Sequence, residues 1–297
     1  MEAPRGDLHH KAEELAAALP PLLVAAERVA TTVSQGVHGR RRVGQGETFW
    51  QFRRYEPGDS THRIDWRQSA KSDRVYIRET EWEAAQSVWL WRDASPSMRY
   101  RSADALPAKL ERANLLLLAL TVLLVRGGER VAMLATGVTP SSSRAALLRI
   151  ARGLENGGAP SPEGVPSLPV FEPLPRYGRL VLFGDFLSPL DDVRAAVTAF
   201  ANRGVRGHLV QVFDPAEETL PFKGRVRFDG MEREGEILFG RVETVRERYH
   251  GELAQHREGL AEIARAVGWT NSVHHTDRSP VTALLELYLM LSQVWDR

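Results

Sequence analysis

The chain contains no cysteine, which excludes disulfide bonds, thiolate catalysis and cysteine-ligated metal centres and is typical of proteins in a reducing compartment. It also lacks a surplus of charge of either sign, because 39 basic and 38 acidic side chains give a formal net charge of +1. Such a balance provides no general attraction for nucleic acid or for an anionic membrane surface. A length of 297 residues suffices for one large core, or for a main domain with a smaller one appended.

A long apolar run is missing as well. The longest one, residues 115–125, contains Thr121 and falls short of the roughly 20 residues that cross a bilayer. Near the N-terminus, acidic residues and the pair Pro20-Pro21 break up the apolar stretch, so the pattern of a signal peptide is not found. We therefore expect no insertion into a membrane and a cytoplasmic location.

From residue 86 onward, short apolar runs alternate with amphipathic segments. Runs that predict strands cover residues 87–92, 130–136, 179–184, 207–213 and 269–274. Segments that predict helices cover residues 107–126, 143–155, 190–203, 241–267 and 281–295. This alternation predicts an α/β fold with a doubly wound, mostly parallel sheet that is covered by helices on both faces. The main domain is predicted over residues 84–297, with a β-hairpin insertion near residues 222–240.

Residues 1–83 are predicted to form an N-terminal segment, a helix and a β-containing stretch, that packs on the main domain. Helical periodicity covers residues 8–35 and is interrupted at Pro20-Pro21. Residues 74–79 alternate between apolar and polar side chains, which predicts a strand added to an edge of the main sheet. A basic, glycine-rich connector at residues 38–46 lies between the two.

The most informative motif follows the first strand of the main domain, where Asp93, Ser95 and Ser97 form an Asp-x-Ser-x-Ser sequence. These side chains place one carboxylate and two hydroxyls on a single turn. Oxygen ligands of this kind, completed by water, suit the near-octahedral coordination of Mg²⁺. The same residues also suit a simple turn whose hydroxyls cap the following helix.

A second acidic residue, Asp185, follows the strand predicted at residues 179–184. Because ligands of open α/β sheets bind beyond the carboxyl ends of the strands, Asp93 and Asp185 are expected at one rim of the sheet. Two carboxylates brought together repel each other unless a cation bridges them or one is protonated. We therefore predict a divalent-cation site at this rim. The alternative for Asp185 is an N-cap or turn residue before the helix that starts at residue 190.

The Asp-x-Ser-x-Ser motif with a later strand-end aspartate resembles the metal-ion-dependent adhesion site of von Willebrand factor type A domains. Residues 53–70, RRYEPGDSTHRIDWRQSA, resemble the signature of the bacterial family known as domain of unknown function 58. Residues 213–218, FDPAEE, and residues 275–278, HTDR, resemble later segments of that family. The resemblance extends from about residue 37 to the last residue of the chain and implies a von Willebrand factor type A-like main domain.

This resemblance implies a site for Mg²⁺, or for Mn²⁺ or Ca²⁺. The implied ligands are Asp93, Ser95, Ser97, Asp185 and a threonine, for which Thr136 is the candidate and Thr139 the alternative. The last coordination position of such a site accepts a carboxylate from a partner protein. The resemblance further implies a non-enzymatic adaptor or co-chaperone that works with a MoxR-type AAA+ ATPase in the maturation or assembly of an unknown client protein. The chain has no G-x-x-x-x-G-K-[ST] loop, so ATP would come with the partner.

Three other interpretations remain open. Asp93 is placed to act as the covalent nucleophile of a phosphotransfer enzyme, although Lys109, which would neutralise the phosphoryl oxygens, lies on a predicted helix. The arginines and aromatic residues between Arg40 and Arg54 suit either nucleic-acid binding or a loop packed over the domain. A zinc site would use His274, His275 and Asp277, but adjacent histidines on a strand point to opposite faces.

Overall fold

The structure is a computed structural model, and it describes residues 21–37, 49–55, 64–71, 74–80, 86–156, 166–231 and 235–295. The predictions for residues 1–20 and for the basic connector at residues 38–46 lie outside the described residues. So do Arg40, Arg41 and Arg42, on which the nucleic-acid interpretation depends.

Four short elements come first along the chain. They are helix α1 (Pro21–Val37), strand β1 (Phe49–Arg54), the single helical turn α2 (Trp66–Ser69) and strand β2 (Tyr76–Thr80). Helix α1 begins at a proline, which suits a first helical turn because no amide hydrogen is needed there. Asp65 caps the turn α2, since its Oδ1 accepts the Gln68 amide at 2.8 Å.

The prediction that residues 74–79 add a strand to the main sheet is wrong. Strand β2 pairs with β1 instead, in a two-stranded antiparallel sheet in which Phe52 lies opposite Arg78. Antiparallel neighbours need no crossover connection, and residues 55–75, which include α2, join these two strands. The alternation of side chains specifies which face of a strand is polar, but it does not specify the neighbouring strand.

The main sheet consists of five parallel strands. They are β3 (Ser87–Arg92), β4 (Arg130–Met133), β5 (Arg179–Gly184), β6 (Arg206–Phe213) and β9 (Thr270–His275). Their order across the sheet is β4-β3-β5-β6-β9. The chain therefore moves from β3 to one side and then returns to the other side of β3. This reversal creates a switch point between the carboxyl ends of β3 and β5.

Helices cover both faces of this sheet. On one face α1 packs with α3 (Lys109–Arg126), α4 (Arg144–Asn156) and α8 (Pro280–Trp295). The other face is covered by α5 (Leu190–Ala201) and α7 (Arg246–Ala266). The predicted α/β fold with a doubly wound parallel sheet is thus confirmed. No helix within the described ranges is long and apolar enough to cross a membrane.

The remaining elements lie beside the carboxyl ends of the strands. A short helix α6 (Pro215–Thr219) follows β6, and strands β7 (Val226–Asp229) and β8 (Glu236–Phe239) form the expected hairpin. The strand predicted at residues 130–136 ends early, at Met133. The chain turns there because Ala135 adopts a left-handed conformation, with φ of +60°.

Candidate functional site at the switch point

The turn after β3 brings Asp93, Ser95 and Ser97 together. Asp93 is fully buried, its amide donates to the Phe183 carbonyl at 2.7 Å, and its Oδ1 accepts the Ser95 amide at 2.7 Å. The hydroxyl oxygens of Ser95 and Ser97 lie 3.1 Å apart. Ser95 precedes a short 3-10 helix but makes no side-chain capping bond to it, so helix capping does not explain the motif.

Asp185 lies against this turn, as the sequence predicts. Its Oδ2 accepts the Ser97 hydroxyl at 2.7 Å, and its Oδ1 accepts the Leu187 amide at 3.3 Å. Helix α5 begins only at Leu190 and has Pro189 at its N-cap, so Asp185 is not the N-cap residue. The two strand-end aspartates therefore lie on adjoining turns at one rim of the sheet, Asp93 bonded to the Ser95 amide and Asp185 to the Ser97 hydroxyl.

Two features of the backbone allow this close approach. A Cβ at Gly184 would lie 3.1 Å from the Cβ of Asp93, so a glycine lets the two turns come together. Phe186 takes a left-handed conformation, with φ of +51°, directly after Asp185. Such a conformation is strained for a non-glycine residue, and the complete burial of the Phe186 ring in the core holds it in place.

Sequence reasoning missed Lys109 as a member of the site. Its side chain is completely buried, and its Nζ lies 3.0 Å from Oδ2 of Asp185 and 2.5 Å from Oε1 of Glu217. Lys109 is the first residue of α3, where a cation is disfavoured by the helix dipole. The signal that the sequence offered is a lysine at the N-terminal end of a helix, where a cation is unfavourable unless an acidic partner lies nearby.

The carboxylates around Lys109 keep it charged. Burial by itself lowers the pKa of Lys109, but Asp185 and Glu217 outweigh this effect, and the pKa lies above its ordinary value. For Glu217 burial is the larger effect and raises its pKa, while the charge of Lys109 opposes the rise. The site therefore holds a charged lysine and a carboxyl group that takes up a proton more readily than usual.

The FDPAEE segment supplies Glu217 through a capping box at the start of α6. Oδ1 of Asp214 accepts the Ala216 amide at 2.8 Å, and Oε2 of Glu217 accepts the Asp214 amide at 2.9 Å. The second oxygen of Asp214 accepts the Ser102 amide at 2.8 Å. These bonds fasten the end of β6 to the loop after β3 and fix the position of Glu217.

Thr136 does not join the other predicted ligands. It is exposed, and its hydroxyl donates to the Met133 carbonyl at 2.7 Å within its own loop. The structure thus brings together four of the five residues, those on the turns after β3 and β5. Within the described ranges, no three histidine, cysteine or acidic side chains group so as to hold a metal ion. A cation at the switch point would therefore depend on serine hydroxyls and water as well as on carboxylates.

The histidines considered for zinc have other surroundings. His274 is buried, and burial lowers its pKa to about 4, with smaller contributions from Arg112 and His275. Nε2 of His275 contacts Oε2 of Glu218 instead. The two side chains leave the strand on opposite faces, as expected for neighbours in β9.

Several known proteins are similar to this chain. The uncharacterized protein Rv1480 of Mycobacterium tuberculosis and the uncharacterized protein Mb1516 of Mycobacterium bovis are each 27% identical over 285 residues, which cover 92% of this chain and 88% of the relative. Among solved structures, a conserved hypothetical protein BatB from Bacteroides thetaiotaomicron matches with a TM-score of 0.41 and 17% identity over 70% of this chain and 100% of its own. An aerotolerance-related membrane protein from Bacteroides fragilis, carrying mutations to serine, matches with a TM-score of 0.42 and 18% identity over the same shares.

The family comparison covers more than half of the chain. The model described as "Protein of unknown function DUF58" matches residues 51–259, which include β3 to α6, the hairpin and most of α7. All four clustered residues of the switch-point site lie within this match, as do Lys109 and Glu217. The chain therefore belongs to the family of proteins of unknown function DUF58.

Proposed function

We propose that this chain is a protein-binding adaptor with a von Willebrand factor type A-like main domain, and that it recognises a carboxylate of a partner protein through a divalent cation at the switch point. The observation that carries the proposal is the contiguous set of oxygens from Ser95, Ser97 and Asp185. Successive members of this set lie 3.1 and 2.7 Å apart.

These separations fit the coordination shell of Mg²⁺. With ligand oxygens at about 2.0–2.1 Å from the ion, neighbouring oxygens of an octahedron lie about 3 Å apart. Ser95, Ser97 and Asp185 match this spacing, and Asp93 begins the same turn, where its Oδ1 accepts the Ser95 amide. We propose these four residues as the protein ligands, with Mn²⁺ or Ca²⁺ as alternative ions. The bound cation would supply a positive charge that attracts and orients the carboxylate of the partner.

The charges around the site also favour a cation. The ammonium of Lys109 contacts Asp185 and Glu217, while Asp93 and Asp214 are buried nearby on the same rim. The carboxylates outnumber this ammonium, and like charges gathered in a buried site attract a further cation. Lys109 shares Oδ2 of Asp185 with any metal, and we expect it to weaken the binding of the ion without preventing it.

A pocket beside the site provides a surface for the rest of the partner. It has a volume of about 680 Å³, lies between the hairpin and helices α6 and α7, and reaches Ser97 and Glu217. Its aromatic walls are Tyr100, Phe222, Phe228, Phe239 and Tyr249. A partner whose acidic side chain reaches the cation would place a neighbouring apolar side chain in this pocket, where buried aromatic contacts contribute strongly to affinity.

The partner proposed from the family resemblance is a MoxR-type AAA+ ATPase, with a client protein as the second partner. In this role the chain catalyses no reaction, inserts into no membrane, binds no nucleic acid and acts in the cytoplasm. The ATPase supplies the energy, and the adaptor supplies the cation-dependent contact.

A binding measurement between the purified protein and a purified MoxR-type ATPase from the same organism tests this proposal. We expect binding in millimolar Mg²⁺ that EDTA removes and that Ser97→Ala and Asp185→Asn each weaken by tenfold or more. Asp191→Asn is the matched control, because Asp191 is exposed on α5 and pairs only with Arg194 among the described residues. Binding that is the same in EDTA and in Mg²⁺, or that all three variants retain, would contradict the proposal.

The position of Lys109 bears on the phosphotransfer interpretation, because that chemistry needs a lysine near the acidic residues and Lys109 lies there. However, this lysine is already bonded to Asp185 and Glu217, so it adds no free positive charge for a phosphoryl group. Phosphate release from a phosphodonor such as acetyl phosphate distinguishes a phosphotransfer enzyme from the proposed adaptor. We expect no release that depends on Asp93.

A further inference from the structure

A second cavity lies at the other side of the turn after β3, between the edge strand β4 and helix α4. It has a volume of about 380 Å³, within the range of about 300–1,000 Å³ that is common for small-ligand sites. Apolar side chains form most of its wall, including Ala132, Met133, Leu134, Val138, Ile150 and Leu154. Such a wall suits an apolar ligand of modest size.

Two arginines give this apolar cavity a positive charge. Arg92, the last residue of β3, lines it, and its Nη1 is buried without a hydrogen-bond partner among the described residues. Arg149 of α4 lines the same cavity and is exposed. Among the described residues that line the cavity, none is acidic. The charge of Asp93, the next residue along the chain, acts on Arg92, but Oδ1 of Asp93 accepts the Ser95 amide at 2.7 Å, and Asp93 does not line the cavity.

A buried guanidinium atom without a partner is costly, because burial removes its water and nothing replaces the lost hydrogen bonds. The planar fork of an arginine side chain matches the two oxygens of a carboxylate and binds them with parallel hydrogen bonds. An anion with an apolar body would therefore meet both requirements of this cavity at once.

We propose that the cavity between β4 and α4 binds an apolar carboxylate, with the carboxylate on Arg92 and Arg149 and the apolar part against the wall. The ligand is either a small carboxylic acid or the C-terminal carboxylate of a chain that ends in an apolar residue. The site is separate from the cation site, and it does not depend on the function proposed above. Thr136 also lines the cavity.

Titration calorimetry with octanoate as the probe tests the site, with octan-1-ol as the uncharged comparison. We expect octanoate to bind with one site per chain, and Arg92→Met and Arg149→Met to weaken binding by about tenfold or more. Arg152→Met is the matched control, because Arg152 is an exposed residue of the same helix that does not line the cavity. The Arg152→Met variant should bind octanoate as tightly as the unsubstituted protein does. Octan-1-ol should bind the unsubstituted protein more weakly than octanoate does.

A cavity-filling variant makes the test independent of the substitution at Arg92. A Cβ at Gly153 meets no atom within 4 Å, and Gly153 lines the cavity on α4. Gly153→Leu should therefore fold normally and block octanoate. Absence of octanoate binding at millimolar concentration, or equal binding by Arg92→Met, Gly153→Leu and Arg152→Met, would overturn the proposal.

Short peptides ending in leucine separate the two sources of the carboxylate. If the natural ligand is a chain terminus, a peptide with a free C-terminus binds at least as tightly as octanoate, and its amidated form does not. If the ligand is a small acid, octanoate binds and both peptides fail to compete with it.

Discussion

At the residue scale, the buried ammonium of Lys109 determines how the carboxylates at the switch point coexist. It contacts one oxygen of Asp185 and one of Glu217 in a place that water does not reach. Without it, both acids would face each other in a medium of low polarity, where an unpaired charge is far more costly than at the surface. Lys109 is therefore a cation that belongs to the structure of the site, and a divalent ion would be a second cation there.

Replacing Lys109 with methionine tests this role. Removing one member of a buried ion pair leaves the other charges uncompensated, so we expect Lys109→Met to lower the free energy of unfolding by about 3–5 kcal/mol. The double variant Lys109→Met/Asp185→Asn should recover part of this loss, because one uncompensated charge is gone. Urea denaturation measures both values, and a loss below about 1 kcal/mol for the single variant would show that Lys109 does not hold the acids together.

The residues of this site were only partly predictable. Asp93, Ser95, Ser97 and Asp185 were found because they follow apolar strands directly, and the end of a strand has a known place in a parallel sheet. Lys109 and Glu217 were missed because each lies at the start of a helix whose direction the sequence does not specify. Thr136 was misplaced because β4 ends at Met133, three residues before the predicted end of the strand.

At the element scale, the packing of Trp269, just before β9, against β6 depends on a glycine in β6. Gly207 of β6 lies beneath the indole of Trp269, and a Cβ there would lie 2.3 Å from the ring. The ring itself is buried, and its Nε1 donates to the Val205 carbonyl at 2.9 Å. The strand therefore accommodates the large side chain of its neighbour only because it has none of its own at this point.

Two alanine substitutions with opposite expected signs test this packing. Gly207→Ala should lower the free energy of unfolding by about 1–3 kcal/mol, because a rigid ring has to move. Gly251→Ala, in the middle of α7, meets no atom within 4 Å and should raise it by about 0.5–1 kcal/mol through better helix propensity. Thermal or urea denaturation measures the free energy of unfolding of both variants. An unchanged value for Gly207→Ala would contradict the close contact between Gly207 and the Trp269 ring.

The sequence predicts the limits of strongly periodic elements well, but it predicts less well which strands pair with each other. The strands at residues 87–92 and 179–184 and the helix at residues 280–295 appear within one residue of their predicted limits, because apolar runs and helical spacing mark them directly. The partner of β2 was predicted wrongly, since alternation alone does not choose between two sheets.

At the scale of the whole molecule, the core extends beyond the segment that defines the family. Helix α1 buries Leu23, Ala26, Ala30 and Val33 against α3, and α8 buries Leu284, Leu287 and Leu291 in the same cluster. The family match at residues 51–259 excludes both helices and the edge strand β9. We therefore expect the folding unit to be larger than the matched segment.

A truncated protein tests the size of the folding unit. Residues 51–259 alone should show no cooperative unfolding, because one face of α3 and one edge of β6 lose their cover. Residues 21–297, which retain all the described elements, should unfold in one transition close to that of the full chain. Circular dichroism during urea denaturation distinguishes the outcomes, and a cooperative transition for residues 51–259 would contradict this view of the core.

The most direct test of the central claim is a titration of the purified protein with Mn²⁺, followed by electron paramagnetic resonance. We predict one bound ion per chain that Mg²⁺ displaces, with affinity weakened tenfold or more by Ser97→Ala and by Asp185→Asn, and unchanged by Thr136→Ala. Absence of a bound ion, or equal binding by all three variants, would contradict the claim that oxygens from the turns after β3 and β5 form a cation site.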